Sequence, residues 1–558
     1  MKADLTRNTF DPFQHFARVL MQQGRVQLDA DWNEQASILL HYVRTLAADL
    51  IGPQGGPTGA SFGFAITPFG APGATPVAND FRIALGRYYV DGILCEADSE
   101  PVGFVVQPNN ANQIRVDQWT LDGMPFQKNQ WVEVFDDVQL PNVQQAFNPT
   151  VAQISAVDKL TLTLLGAPAF NTPSAPKVRR VITYLTQPDY PQPDALAAGA
   201  SLVYLDVWER LISYVEDDAI REVALGGPDT AARSKVVWQV KAVPGQQVDP
   251  AKGGSPCDNF TPTDKSLLAK LLGSNRGRLK AMAKQTTASA NPCIIPPNAA
   301  YRGPENQLYR VEIHRAGGVW DTTENGKAGA ATFKWSRENG SVVFPIVSIL
   351  TGNGSTTVTL ETLGRDDRLG LAEGEWVEIQ DDVSVLQNRA EPLLQVQAID
   401  RTNMTVTLSG TTVSKVGQGP HPLLRRWDQQ EGDPADGELQ LANDGAALIE
   451  ESASKWLQLE DGVQIQFEPP DTKESPPNQY RTGDYWLIPA RTATGDVEWP
   501  TEMGQDSQGN PVIVHRSKPP DGVRHHYAPL AVISVGPGGV IAVEAPDCRK
   551  QFPPSAKS

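Results

Sequence analysis

Trp131–Val138 reads WVEVFDDV, and Trp376–Val383 reads WVEIQDDV. Each opens a matching series. After the first come Pro149, QISAVD (Gln153–Asp158) and LTLTLLG (Leu160–Gly166). After the second come Pro392, QVQAID (Gln395–Asp400) and TVTLSG (Thr405–Gly410). Apolar and polar side chains alternate in both series. That is the mark of a strand with one buried face, because successive side chains on a strand point to opposite sides. The pattern predicts an internal duplication of two small β-barrel-like modules, at roughly 110–170 and 355–412. Paired aspartates recur in the same slot of each copy (Asp136-Asp137 and Asp381-Asp382). They are expected in turns between strands, with metal ligands or a catalytic dyad as the alternatives.

The segments around the copies are also strand-like. GRYYVDGILCE (Gly86–Glu96) is a hairpin whose Asp91-Gly92 pair favours a two-residue turn, setting Val90 opposite Ile93 and Tyr89 opposite Leu94. WLQLEDGVQIQF (Trp456–Phe467) keeps one face apolar only with a three-residue loop, Glu460-Asp461-Gly462, which sets Leu459 against Val463 and Leu457 against Ile465. Ser201–Asp217 reads as a strand pair, the first half of Asp217–Thr230 as a short helix ended by Gly226-Gly227-Pro228, and Lys235–Val243 as a strand. The fold class predicted is mainly β and multi-domain. An N-terminal arm and long helix (1–52) precede a β domain (77–245), an insertion (246–300), a second β domain (301–430) and a C-terminal β region (431–558).

One long helix signal stands out. In RVLMQQGRVQLDADWNEQASILLHYVRTLAADLI (Arg18–Ile51), Trp32, Ala36, Leu39, Val43, Leu46 and Leu50 follow at spacings of four, three, four, three and four. This is an a/d seam, the pattern of a helix that packs along one stripe. Asp31 with Glu34 three residues on resembles a capping box, and Gly52-Pro53 stops the helix. The seam packs either on the chain's own β domain or on a neighbouring subunit. Residues 1–17 form an extended polar arm.

A net charge of −17 argues against nucleic acid or an anionic membrane as the main partner. The insertion carries a local basic segment (Lys265, Lys270, Arg276, Arg278, Lys280, Lys284), which is either a dock for an acidic partner or a solvated face. Cys95, Cys257, Cys293 and Cys548 have no CxxC spacing, and four free thiols are expected, with a Cys257–Cys293 pair as the alternative. The N-terminus lacks a basic region followed by an apolar one, so a cytoplasmic origin without a Sec signal is expected. There is no run of about 18 apolar residues, so any membrane contact is expected to be indirect.

Catalytic spacings are missing: no GxSxG, HExxH, Walker loop or GxGxxG after a strand. DADWNE (Asp29–Glu34) starts like a calcium loop, but its sixth position is Glu34 rather than glycine. His525 and His526 are adjacent and point to opposite faces of a strand, so they do not suit one metal. His314 in an alternating strand reads as structural. Carboxylates abound, but no spacing selects a glycosidase pair. No catalytic residue, cofactor or metal is expected.

Several blocks resemble one family. They are MKADLTRNTFDP, RVLMQQGRVQLDADWNEQ, LDVWER, EDDAIREVALGGPDTAARSKVVWQVK, NQLYRVEIH, FKWSRENGS, HPLLRRWD, YRTGDYWLIPART and HHYAPLAV. The family is an uncharacterised domain encoded in phage-tail-like gene clusters, notably extracellular and thylakoid-associated contractile injection systems. The resemblance implies a structural baseplate or baseplate-periphery component, of the cage or extension type, in a symmetric ring. Its partners would be copies of itself and baseplate, spike and sheath proteins, with three- or sixfold cyclic symmetry. The particle would be extracellular after lysis or membrane-anchored. A fibre-like attachment module is the alternative, and a glycan-cleaving enzyme comes third.

Overall fold

The two duplicated series close into barrels. The computed structural model describes residues 1–70, 75–107, 110–117, 125–140, 143–165, 176–248, 255–263, 266–273, 275–283, 301–319, 330–352, 354–366, 368–412, 415–470, 476–505 and 509–552, with backbone alone at 136–140 and 143–149. The first barrel is built from Val102–Gln107, Asn110–Val116, Trp131–Leu140, Val143–Asp158, Thr161–Leu165 and Pro176–Arg180. The second uses Val343–Gly352, Ser355–Leu360, Trp376–Gln380, Leu393–Asp400, Thr405–Ser409 and Leu423–Trp427. Round each barrel the strands run first, second, fifth, fourth, third, sixth, every neighbour antiparallel.

The copies agree in register as well as in order. Trp131 lies opposite Gln153, and Trp376 opposite Gln395. Gln153 Nε2 donates to the Asn129 carbonyl at 3.1 Å, and Gln395 Nε2 donates to the Gly374 carbonyl at 3.0 Å. The inward faces match in kind: Val132, Val134, Ile154 and Val178 in one, Val377, Ile379, Val396 and Leu424 in the other, all buried. Each large side chain so buried contributes about 1.5–3 kcal/mol.

The aspartate pairs do not share a fate, which corrects one expectation. Asp136 and Asp137 lie inside a long strand, opposite Phe147 and Ala146. In the second copy the strand ends at Gln380 and Asp381 caps a short helix, Asp382–Leu386, by accepting from Ser384 N at 2.8 Å. The other carboxylate oxygen of Asp381 takes the Gly417 and Gly419 amides, both at 3.0 Å, which gives this turn a polar reason.

The chain forms two compact units. One contains Met1–His41, Glu209–Lys235 and Gly273–Arg524; the other contains Tyr42–Trp208, Val236–Leu272 and His525–Ser558. The first holds the second barrel and a sheet ordered Ala447–Leu448, Thr332–Ser336, Gln307–Arg315, Tyr485–Arg491, Asp496–Val497. The other holds the first barrel and a sheet ordered Arg233–Pro244, Gly199–Ile212, His526–Val535, Ile541–Glu544. Apart from the short edge strand, the two sheets repeat one order: second, first, third, fourth along the chain. Even their polar centres correspond. Glu312 lies opposite Tyr485 and Asp206 opposite Tyr527, and a lysine of the neighbouring strand (Lys334, Lys241) meets each acid.

Both hairpin registers hold. Val90 faces Ile93 with Asp91 and Gly92 at φ 47° and 75°, the left-handed pair that a tight turn requires. Leu457 faces Ile465, and Leu459 N donates to Val463 O at 2.9 Å. Ser201–Asp217 is not a strand pair. It belongs to one long strand, Gly199–Ile212, followed by a turn, because no glycine, proline or asparagine breaks the run from Leu202 to Ile212. The stretch expected as a short helix is two 3-10 turns, Asp218–Ile220 and Val223–Leu225.

The cysteine expectations also need correction. Cys257 is bonded to Cys548, 291 residues away, and Cys95 is free and buried. Cys293 lies outside the described residues. The partner was hidden because the two cysteines are brought together only by the fold. The C-terminal segment that this bond anchors runs on to residues 54–63: Gly56 N donates to Lys550 O, Phe552 N to Gly56 O, and Arg549 Nη1 to Gly63 O.

Candidate assembly surface

The long helix spans Asp29–Ile51, starting two residues before the expected Asp31 cap. Asp31 therefore lies within the first turn, and Asp29–Glu34 is helix rather than a calcium loop. Two acids of the expected box region serve another purpose. Asp29 accepts from Thr6 N (2.9 Å) and Thr6 Oγ1 (2.6 Å), and Glu34 accepts from Thr9 Oγ1 at 2.5 Å. Burial pushes Asp29 up, yet the two bonds from Thr6 outweigh it and hold its carboxyl below the usual range.

Only Ala30 and Ile38 of this helix are buried. The six seam residues face solvent: Trp32 is 71 % exposed, Leu39 56 %, Val43 62 %, Leu46 60 % and Leu50 76 %, and Ala36 is exposed too. The seam does not pack on the chain's own sheets. The second half of the helix nevertheless has a firm seat. Gly92 of the first hairpin sits so close to the Arg44 carbonyl that a Cβ there would collide with it.

Periodicity could not reveal the segment before the helix, because it has none. Asp11–Leu28 contains no buried residue, and Phe13, Phe16, Leu20, Met21, Val26 and Leu28 are all exposed. With the seam they leave a run of exposed large apolar side chains between Phe13 and Leu50, a density that marks interaction surfaces rather than singly scattered hydrophobics.

The arm before that segment is anchored within its own unit. Lys2 Nζ pairs with Glu312 Oε1 at 2.9 Å, and Asn339 Nδ2 donates to the Ala3 carbonyl at 2.8 Å. Arg491 Nη2 donates to the Thr6 carbonyl at 2.9 Å, and Arg7 pairs with Glu498 at 2.8 Å. Burial lowers Lys2 to about 8 against the pull of Glu312. Burial would raise Glu312, but Lys2, Arg310 and Lys334 outweigh it and hold the carboxyl well below its ordinary range. Glu312 also takes Arg310 Nε at 2.6 Å, and Lys334 continues to Glu378 of the second barrel at 2.6 Å. The arm thus plugs into a buried charge network that ties the sheet to the barrel of the same unit.

Other candidates are structural. Arg276 pairs with Asp484, Lys280 with Glu468, and Arg278 Nε donates to Ser517 Oγ at 2.8 Å. These three cations have partners within the chain, Arg278 while remaining exposed to solvent, and Lys265 and Lys284 lie outside the described residues. His525 Nδ1 meets Asp206 at 2.7 Å and stacks on Trp208, while His526 Nδ1 meets Asp91 at 2.9 Å. Burial raises Asp206, but His525 and Lys241 outweigh it and keep its pKa below the usual value. His314 is buried, and that burial lowers it to about 4. Among the described residues, no group of three or more His, Cys, Asp or Glu side chains is placed to hold a metal ion, and no helix is long and apolar enough to cross a membrane.

The chain belongs to DUF6519, a family of unknown function, which it matches over residues 1–158, 193–251 and 245–541. No curated protein matches it.

Proposed function

Starting from a family without an assigned function, we propose that this chain is a structural subunit that assembles into a symmetric ring in a phage-tail-like contractile injection particle, at or around the baseplate. The observation that carries this reading is the apolar helix seam, Trp32 to Leu50, turned to solvent and preceded in the chain by the Asp11–Leu28 segment, which also buries nothing. Exposed apolar area of this extent is costly in water and marks a protein-binding surface. Its occupants are copies of the chain and neighbouring baseplate, spike and sheath proteins. The resemblance of the sequence blocks to the injection-system domain family supports that setting. The Cys257–Cys548 bond suits a particle that spends its working life outside a reducing cytosol, either released on lysis or anchored at a membrane.

The test is Leu39→Asp with Leu46→Asp in the full chain. Both side chains are exposed, so folding should survive, while mass by light scattering falls to that of one chain and the variant no longer joins purified particles. A wild-type chain that stays monomeric with its particle proteins present, or a variant that assembles normally, would end this reading.

A second reading, surface attachment, is favoured by one feature. The hairpin Thr501–Gln505 with Pro511–His515 sets Met503 opposite Ile513, and these side chains are 69 % and 72 % exposed. Glycan-array binding lost on Met503→Ser with Ile513→Ser would support it.

A further inference from the structure

We propose that the arm, Lys2–Phe10, is exchanged between subunits, so that each copy's arm fills the socket of an adjacent copy. This rests on the assembly reading above and specifies how the copies are joined.

The socket is built to receive a peptide. It offers a buried carboxylate, Glu312, to Lys2, and the Asn339 amide and Arg491 guanidinium to the carbonyls of Ala3 and Thr6. Glu498 takes Arg7, and the helix acids Asp29 and Glu34 take Thr6 and Thr9. These are charge-complementary, sequence-specific contacts, and they are the same contacts whichever copy supplies the arm.

The connection from arm to helix favours the exchanged form. Asp11–Leu28 buries nothing, so little ties the arm to its own copy; Val19 N donates to Gln35 Oε1 at 2.8 Å, and at the helix start Trp32 N donates to Leu28 O at 3.4 Å. Extended at about 3.4 Å per residue, 18 residues reach about 60 Å, ample to cross to a neighbour. In the exchanged form this segment runs between subunits, which covers Phe13, Phe16, Leu20 and Met21 instead of leaving them in water. The arm's polar contacts are conserved in number and apolar area is removed from solvent, the balance that makes swapping a low-cost route to closed rings. Copies arranged cyclically satisfy every socket and leave no arm over.

The experiment uses the full chain in a Cys293→Ser background carrying Thr9→Cys and Glu34→Cys, assembled and then oxidised with oxidised glutathione. A non-reducing gel reads the connection. Exchange gives a ladder of covalent multimers that collapses to one band on reduction. A second pair, Arg7→Cys with Glu498→Cys, tests the other end of the socket and guards against one pair disturbing the fold. Oligomers by light scattering with only internally bonded chains, or with no bond from either pair, overturn the exchange but leave assembly intact. Monomers throughout overturn both.

Discussion

Glu133 and Glu378 occupy the same place in the two barrels, each on the third strand and each opposite an arginine of the sixth, Arg179 and Arg425. Both are buried, but they are neutralised differently. Glu133 takes its opposite Arg179 and also Arg82 from outside the barrel. Arg425 instead serves Gln380 and the Gly340 carbonyl, so Glu378 takes Lys334 at 2.6 Å and the Trp427 indole at 3.0 Å. One duplicated residue thus pins each barrel to other strands of its own unit.

The difference in exposure sets the first prediction. Lys334 is almost wholly buried, at 4 % side-chain exposure, whereas Arg82 and Arg179 retain 26 % and 22 %. Glu378→Ala removes the nearer of two carboxylates from a buried ammonium, leaving Lys334 only Glu312 at 3.7 Å, and should cost about 3–5 kcal/mol. Glu133→Ala leaves two guanidiniums that reach water and should cost about 1–2 kcal/mol. Hydrogen exchange in the strands of each barrel measures the two losses separately. Equal losses would show that exposure of the cations does not govern the cost.

A pH dependence follows from Glu460. Burial raises it from an ordinary 4.5 to about 7, because Arg337, 2.9 Å away, is shared with Asp428 and does not make up for lost water. A carboxyl whose folded pKa is raised contributes stability below its unfolded pKa and loses it as pH climbs through the folded one. Relative to Glu460→Gln, the wild type should therefore lose on the order of 2 kcal/mol between pH about 4.5 and 7. Urea midpoints for both proteins across that range are the check. A difference that does not change with pH would mean that Glu460 titrates alike in the folded and unfolded chain.

How much of this was legible depended on whether a signal was local. The barrels announced themselves because alternation and the repeated WVE/QxxA pattern are encoded strand by strand. The hairpin at Asp91-Gly92 was legible for the same reason, since two residues fix its register. The repeat of the sheets was not, because corresponding strands such as Leu202–Val207 and Leu308–Ile313 share polarity but little identity. The Cys257–Cys548 bond and the Lys2 socket join residues hundreds of positions apart, and nothing local marks them. The seam of the helix is visible as an apolar stripe, but periodicity cannot say whether that stripe is covered. Here the buried positions are Ala30 and Ile38, off the seam.

The disulfide gives a third prediction. It closes a loop of 291 residues, for which loop entropy sets an upper bound of about 6 kcal/mol. Cys257→Ser with Cys548→Ser should lower the melting temperature and raise hydrogen exchange at Gly56 and at the amides of Lys550 and Phe552, which the strap holds. A reductant should do the same to wild type and nothing to the double variant. Unchanged exchange at Gly56 would show that the strap holds without its bond.

The last prediction separates the two sides of the helix. Ile38 is 1 % exposed and Leu39 is 56 %, though they are neighbours of similar size. Ile38→Ala removes buried methylenes and leaves a cavity, which should cost about 2–4 kcal/mol. Leu39 lies mostly in solvent in the single chain, so Leu39→Ala should cost less, about 0.5–1 kcal/mol. In the assembled protein the order should shift, because a seam covered by a neighbour makes Leu39 a core residue too. Denaturation at low and at high protein concentration reads both regimes. The cost of Leu39→Ala should grow with concentration while that of Ile38→Ala stays constant. If the cost of Leu39→Ala stays that small under conditions where the chain is oligomeric, the seam is not the surface through which copies meet.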